Sequence, residues 1–114
     1  MTALAAAVTA LTITVWPQGL DGPSQRWTLR CGPTGGTHPA RVAACRKLDA
    51  LAALGPFRPV PDGAVCTQVY GGPAVARVTG RFRGNRIWAE FRRRNGCEID
   101  RWKRLRPLLP AAGA

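Results

Sequence analysis

Four cysteines, one histidine and six carboxylates are the side chains of this 114-residue sequence from which nucleophilic, metal or acid–base chemistry would most readily be built. Cys31, Cys45, Cys66 and Cys97 form no C-x-x-C pair, and the lone His38 does not complete a zinc set across such wide spacings. His38 has no serine or cysteine partner in a recognisable motif, and beside Pro39 it reads as a residue at the start of a helix. Asp21, Asp49, Asp62, Glu90, Glu98 and Asp100 are scattered over turns, helices and a strand, with no pair suited to acid–base catalysis. Neither an enzyme nor a metal or other cofactor is expected. An even number of cysteines in a small domain points instead to two disulfides and an oxidising compartment. Arithmetic leaves three pairings open.

The other conspicuous chemistry is positive charge, +11 at pH 7, carried by fifteen arginines and two lysines. Such a balance fits a nucleic acid, a membrane surface or an acidic polymer. The chain is equally rich in Ala, Gly and Pro, a mixture that a GC-rich genome encodes, so charge alone is a weak functional signal. Residues 4–16 are the longest apolar candidate, but they contain three threonines and end at Pro17, so no membrane insertion is expected. No Lys or Arg precedes Arg26, and the basic start of a signal peptide is missing. The cysteines nevertheless favour a secreted protein whose signal peptide is absent from, or truncated in, this chain.

The length fits a single domain, residues 1–114, with an ordered core over about 9–106 and frayed termini, including the tail from Leu108. Residues 9–16 (TALTITVW) are rich in β-branched side chains and read as a strand. Turn chemistry follows at Pro17-Gln18-Gly19 and Asp21-Gly22-Pro23. Residues 25–31 (QRWTLRC) alternate and pair back on the first strand, and residues 32–36 form a loop. A helix is expected over 39–54, with Pro39 in its first turn, Gly55-Pro56 as its stop, and Ala44, Cys45, Leu48, Leu51 and Ala52 along one stripe. Residues 56–63, with three prolines, form an ordered connector.

Residues 74–94 are the most legible. Gly84-Asn85 is a two-residue hairpin signal, which pairs Arg83 with Arg86, Phe82 with Ile87 and Val78 with Phe91. One face then carries Ala76, Val78, Phe82, Ile87, Ala89 and Phe91, with Arg93 as its one misfit. The other carries Arg77, Arg81, Arg83, Arg86, Arg92 and Arg94 with Val75, Thr79, Trp88 and Glu90. That segregation describes a half-buried antiparallel hairpin. The basic face with Trp88 is a candidate surface for nucleic acid or another polyanion, although a solvated sheet face explains it more simply. A second helix over 98–106 places Ile99, Trp102 and Leu105 at helical spacing before Pro107. Trp16, Trp27 and Trp102 read as packing residues. The elements together give an α+β fold, an antiparallel sheet with helices on one side.

Several stretches together resemble the Streptomyces-type subtilisin inhibitor-like family. They are Leu11-Thr12-Ile13-Thr14-Val15, Trp27-Thr28-Leu29-Arg30-Cys31, and Thr37-His38-Pro39 leading to Ala44-Cys45 and Leu48. Further on come Cys66-Thr67-Gln68-Val69-Tyr70, then Pro73, Val78, Gly80, Gly84 and Asn95-Gly96-Cys97. The resemblance implies a secreted inhibitor of subtilisin-like serine proteases built on a five-stranded antiparallel sheet with two helices. It also implies that Cys31 pairs with Cys45 and Cys66 with Cys97. The protease-binding loop is then Val65, Cys66, Thr67, Gln68, Val69 and Tyr70, with the reactive bond between Gln68 and Val69. Asn95 matches the family position that supports the loop from behind.

Two departures from the family pattern stand out, the first in the loop and the second in the arginine face of the hairpin. Gln68 would enter the protease's specificity pocket where better-known members carry Met, Lys or another long side chain, so the target enzyme is left open. Gly71-Gly72 replaces what is often one acidic residue, and a softened loop is expected. Family members commonly dimerise through an exposed sheet surface. Six arginines on the solvent side of the hairpin oppose such stacking, which leaves monomer and homodimer both open.

Overall fold

The structure is a computed structural model that describes residues 8–112. Strand β1, Thr9–Trp16, is the centre of the sheet, with β2 (Gln25–Cys31) on one side and β4 (Val75–Phe82) on the other. A two-residue strand β3, Gly35–Gly36, pairs with the outer edge of β2, and β5 (Asn85–Phe91) pairs with β4. The order is β3-β2-β1-β4-β5, antiparallel throughout. Helix α1 (Arg41–Leu51), followed by a 3-10 turn (Ala52–Leu54), and helix α2 (Gly96–Arg104) complete the fold. No helix among the described residues is long and apolar enough to cross a membrane.

Alternation dictates which face is covered. Leu11, Ile13 and Val15 of β1, Leu29 of β2, Ala76 and Val78 of β4, and Ala89 and Phe91 of β5 are buried in one cluster with Ala44 and Leu48 of α1, Trp102 of α2 and Leu105 at its C-terminal cap. Both helices therefore pack on one face. The expected fold, five antiparallel strands with two helices on one side and two disulfides, Cys31–Cys45 and Cys66–Cys97, is the observed one. The fifth strand lies in what reads as a loop. Gly36 sits at φ +105 with no room for a side chain against the Thr28 carbonyl, so close approach rather than β propensity recruits it.

Three expectations need correction. The 83–84 pair, not Gly84-Asn85, is the hairpin turn, and the register is Phe82 with Asn85, Arg81 with Arg86, Val78 with Ala89 and Ala76 with Phe91. Arg83 and Gly84 both have positive φ, 49° and 84°, as a type I′ turn requires. A non-glycine residue holds the first of these positions because β1 captures the turn. The Arg83 N–H donates to Thr9 Oγ1 at 3.0 Å, the Gly84 N–H donates to the Val8 carbonyl at 2.8 Å, and the Arg83 guanidinium meets Asp49 at 2.9 Å. The register shift is two residues, so each side chain keeps its face, and the two-sided segregation stands. Val75 is the exception, buried although it belongs to the open side.

The tail is not frayed over its described residues, 108–112. Leu108 and Leu109 are fully buried, the Leu108 carbonyl is 2.8 Å from His38 Nε2, and Trp102 Nε1 donates to the Pro110 carbonyl at 2.8 Å. His38 does sit at the start of a helix, accepting the Ala40 N–H on Nδ1 at 2.9 Å, and its ring packs edge-on to Trp27. The same ring thereby joins the start of α1 to the chain's last apolar residues. Helix boundaries also move: α1 starts two residues after the expected Pro39, and α2 starts at Gly96 rather than Glu98.

Candidate functional site

The loop that carries Gln68 is defined by what holds it. Between Gly55 and Ala74 the backbone has no helix or strand, and in that stretch Val65 is 99% exposed, Val69 58% and Tyr70 67%. Exposed apolar side chains in an irregular segment would ordinarily be mobile. Here two clamps oppose that.

The first clamp is on the N-terminal side. Cys66 is bonded to Cys97 in the first turn of α2, with the two Cα atoms 5.3 Å apart. One residue on, the Thr67 carbonyl accepts the Gly96 N–H at 2.9 Å. That N–H is one of the unpaired donors that every helix leaves at its start, so the helix end itself grips the loop. A side chain at residue 96 would run into Thr67 Oγ1, and the Thr67 hydroxyl would have to turn away to admit it.

The second clamp is on the C-terminal side and centres on Arg93, the misfit of the apolar hairpin face. Arg93 is only 7% exposed. Its backbone carbonyl accepts the Gly71 N–H at 2.7 Å, and its Nε donates to the Gly71 carbonyl at 2.9 Å. The guanidinium carbon lies 5.5 Å from the centre of the Trp102 ring. A side chain on residue 71 would meet Ile99 Cδ1 at 2.8 Å and Arg93 Cβ at 3.0 Å. The expectation of a loop softened at Gly71-Gly72 is therefore corrected for Gly71, whose N–H and carbonyl are both hydrogen-bonded and which is wedged against Ile99. Only Gln68, Val69 and Tyr70 span the gap between the clamps. The Gln68 amide folds back, its Nε2 donating to the Cys66 carbonyl at 3.4 Å.

Asn95 acts one step behind the loop. Its Oδ1 accepts the Glu98 N–H at 3.0 Å and caps α2, the helix whose first residues grip Thr67 and Cys66. Glu98 answers, accepting from the Arg94 N–H at 3.2 Å and from the Arg94 guanidinium at 2.7 Å. The Arg94 hydrogen bonds hold the Glu98 carboxyl below its ordinary value, outweighing partial burial. A depressed folded pKa contributes stability that is present above the unfolded value and is lost as pH falls through the folded one. Glu98→Gln keeps the acceptor but removes the charge. It should lower the urea midpoint at pH 7 by the equivalent of about 0.5 kcal/mol, because Arg94 is largely exposed. The parent and variant midpoints should converge well below pH 4.5. Midpoints that stay parallel across pH would show that the charge contributes nothing.

Arg101 was not legible as a site residue. Its guanidinium donates to the carbonyls of Arg58 at 2.7 Å, Glu90 at 2.7 Å and Phe57 at 3.2 Å, and stacks 3.9 Å from the centre of the Phe91 ring. It fastens the proline-rich connector to β5 and α2 upstream of the loop. Nothing in its helical spacing distinguishes it from its arginine neighbours.

The six hairpin arginines do not act as one group. Arg77 and Arg92 share Glu90, at 2.8 and 3.1 Å, Arg94 pairs with Glu98, and Arg83 pairs with Asp49. Burial opposes ionisation of Glu90, but the hydrogen bonds from Arg77 and Arg92 prevail and hold its carboxyl below the ordinary value. Arg81 and Arg86 face each other across the strands.

Comparison with known proteins gives a consistent picture. A family model described as subtilisin inhibitor-like matches residues 5–95. Subtilisin inhibitor-like protein 1 of Streptomyces cacaoi is 41% identical over 86 residues, covering 71% of this chain and 76% of that protein. Subtilisin inhibitor-like protein 4 of Streptomyces lavendulae is 34% identical over 98 residues, 82% of this chain and 84% of the relative. A subtilase-type protease inhibitor of Streptomyces coelicolor is 38% identical over 76 residues, 66% of this chain and 52% of its own length.

Proposed function

The chain belongs to the subtilisin inhibitor-like family, and on that footing we propose that it is a secreted, single-domain inhibitor of subtilisin-like serine proteases whose reactive bond is Gln68–Val69. The observation that carries this reading is the three-residue exposed span held by the Cys66–Cys97 and Gly96 clamp on one side and the Arg93 clamp on the other. A protease must freeze an ordinary substrate into an extended loop, and ordering each residue's backbone costs about 1–2 kcal/mol. This loop is ordered beforehand, so binding keeps more of its contact energy.

The chemistry follows from the clamps. The enzyme's serine attacks the Gln68 carbonyl carbon, and the Val69 amine leaves. Both new ends remain tethered, one through Cys66 to Cys97 and the other through Gly71 to Arg93. The amine stays beside the acyl-enzyme, and religation competes with hydrolysis. Gln68 itself is neutral and polar. It offers no charge partner to a pocket with a buried carboxylate, and its amide would lack hydrogen bonds in a purely apolar one. A broad, partly solvated pocket of the subtilisin type is the best match.

Titrating active subtilisin with the oxidised protein, followed by mass spectrometry, tests this. Stoichiometric loss of activity is expected, with the chain intact or nicked only at Gln68–Val69. No inhibition, or digestion at many bonds, would defeat the proposal. The sheet's open face bears on assembly as well. Stacking two copies would bring Arg26, Arg30, Arg81 and Arg86 against their equivalents, so the protein should sediment as a monomer at micromolar concentration in low salt. A tight dimer under those conditions would refute this.

A further inference from the structure

The open face of the sheet takes no part in that mechanism. Its register arranges the side chains of this face in three rows across the four long strands: Arg30, Ala10, Arg81 and Arg86; then Thr28, Thr12, Thr79 and Trp88; then Arg26, Thr14, Arg77 and Glu90, of which Thr14 is buried by its neighbours. With strands about 4.8 Å apart and alternate residues about 6.8 Å apart, each row is about 14 Å long and two basic rows flank one of threonines. Arg77 is neutralised by Glu90. Arg26, Arg30, Arg81 and Arg86 are exposed and have no ion-pair partner among the described residues.

Arg81 and Arg86 are direct cross-strand partners, an arrangement that repels unless an anion sits between them. Next to them the indole of Trp88 is 65% exposed. An open depression runs between Trp88 and Thr79 on one side and the two arginines on the other, with the backbone of Gly80 and Ile87 between them. The Arg77 guanidinium lies 5.9 Å from the Trp88 ring centre and Arg81 donates to the Gly84 carbonyl at 3.2 Å. An exposed aromatic ring beside Arg81 and Arg86, whose charges no carboxylate among the described residues neutralises, is what a stacked, negatively charged ligand needs.

We propose that this face binds single-stranded nucleic acid, with phosphates on Arg30, Arg81, Arg86 and Arg26, the hydroxyls of Thr12, Thr28 and Thr79 along the backbone, and a base stacked on Trp88. A flat sheet with basic rows and an exposed aromatic is a platform for unpaired bases. A duplex keeps its base faces hidden, and a sulfated polymer engages the arginines without a stacking partner for Trp88. A lipid surface calls for more apolar protrusion than the one exposed indole of this face.

The test is fluorescence anisotropy with a labelled oligothymidine of about twelve nucleotides, a length within the usual range for such platforms. The plot of log affinity against log salt should have a slope of about −3, from about four phosphates at −0.7 each. Arg81→Ala with Arg86→Ala should reduce that slope by about 1.4. Trp88→Ala should weaken binding at least about fivefold, the loss of one stacked base, and leave binding of heparin unchanged. Thermal midpoints and subtilisin inhibition of the variants, measured alongside, report folding and the loop independently of this face. Binding that ignores Trp88, or that heparin reproduces in full, would overturn the proposal in favour of an unselective charged surface. Absence of binding at about 20 mM salt, where such contacts are strongest, would overturn it outright.

Discussion

Replacing Cys66 and Cys97 together with serine should turn the protein from an inhibitor into a substrate. The bond closes a segment with a sequence separation of 31, and its loss should lower stability by about 3.7 kcal/mol in the chain-entropy account. The Cys31–Cys45 bond and the Trp102 and Phe91 core remain, so the sheet should still form at moderate temperature. What disappears is the tether on the acyl side of the reactive bond. Freeing Cys66, Thr67 and Gln68 restores about 3 kcal/mol of backbone ordering to be supplied on binding, equivalent to roughly a hundredfold in affinity. The inhibition constant for subtilisin should weaken by that factor. Mass spectrometry should show cleavage at Gln68–Val69 followed by digestion instead of an equilibrium between intact and nicked chains. A double-serine variant that is folded by circular dichroism and inhibits like the parent would remove the disulfide from the mechanism.

Changing Arg93 to methionine should have the second largest effect, and at the site rather than on the fold. Arg93 lies on the covered face, where an unbranched apolar side chain fits, so the thermal midpoint should fall by only a few degrees. The Gly71 carbonyl, however, loses a hydrogen bond from a charged donor, worth about 1.5–3 kcal/mol. Inhibition should weaken by about 10- to 100-fold, with faster cleavage at Gln68–Val69. Exchange of the Gly71 amide hydrogen should speed up while amides of β1 and β4 keep their protection. Arg93→Lys keeps the charge but not the planar fork that bonds Gly71 and lies against Trp102, so it should fall between the two. If affinity falls only in proportion to global stability in both variants, Arg93 is a packing residue and not a loop clamp.

Much of this was readable from residue order. TALTITVW and QRWTLRC are strands with the boundaries their alternation indicates, and the hairpin's two faces separate as its pattern says. The hairpin's register differs by two residues from the one its turn signal predicts, because Gly84-Asn85 is the better local turn and Arg83-Gly84 is the better captured one. Arg93 was visible as an anomaly, a charge on an apolar face, but its reason was not, since Gly71 precedes it by twenty-two positions. Gly71 looked like slack because glycine is permissive in isolation. It is the opposite when Ile99 and Arg93 occupy the space beside it. Leu108 and Leu109 follow a helix stop at the chain's end, where fraying is the ordinary expectation, yet both are buried.

The sequence by itself determined the strand and helix types, the faces they bury, the family and the exposed segment around Gln68. These depend on side-chain periodicity and on motifs a few residues long, which are local properties of the chain. The tertiary structure alone decided the turn position, the recruitment of Gly35–Gly36 as a strand, the burial of Leu108 and Leu109, and the Gly96 and Arg93 contacts that join the Cys66–Cys97 bond in holding the loop. Each of those depends on which distant group arrives opposite. The Thr9 hydroxyl takes the Arg83 N–H from 74 residues away, and the Leu108 carbonyl meets His38 across 70. Buried polar groups must find partners wherever the packed core places them, and no spacing along the chain records where that is.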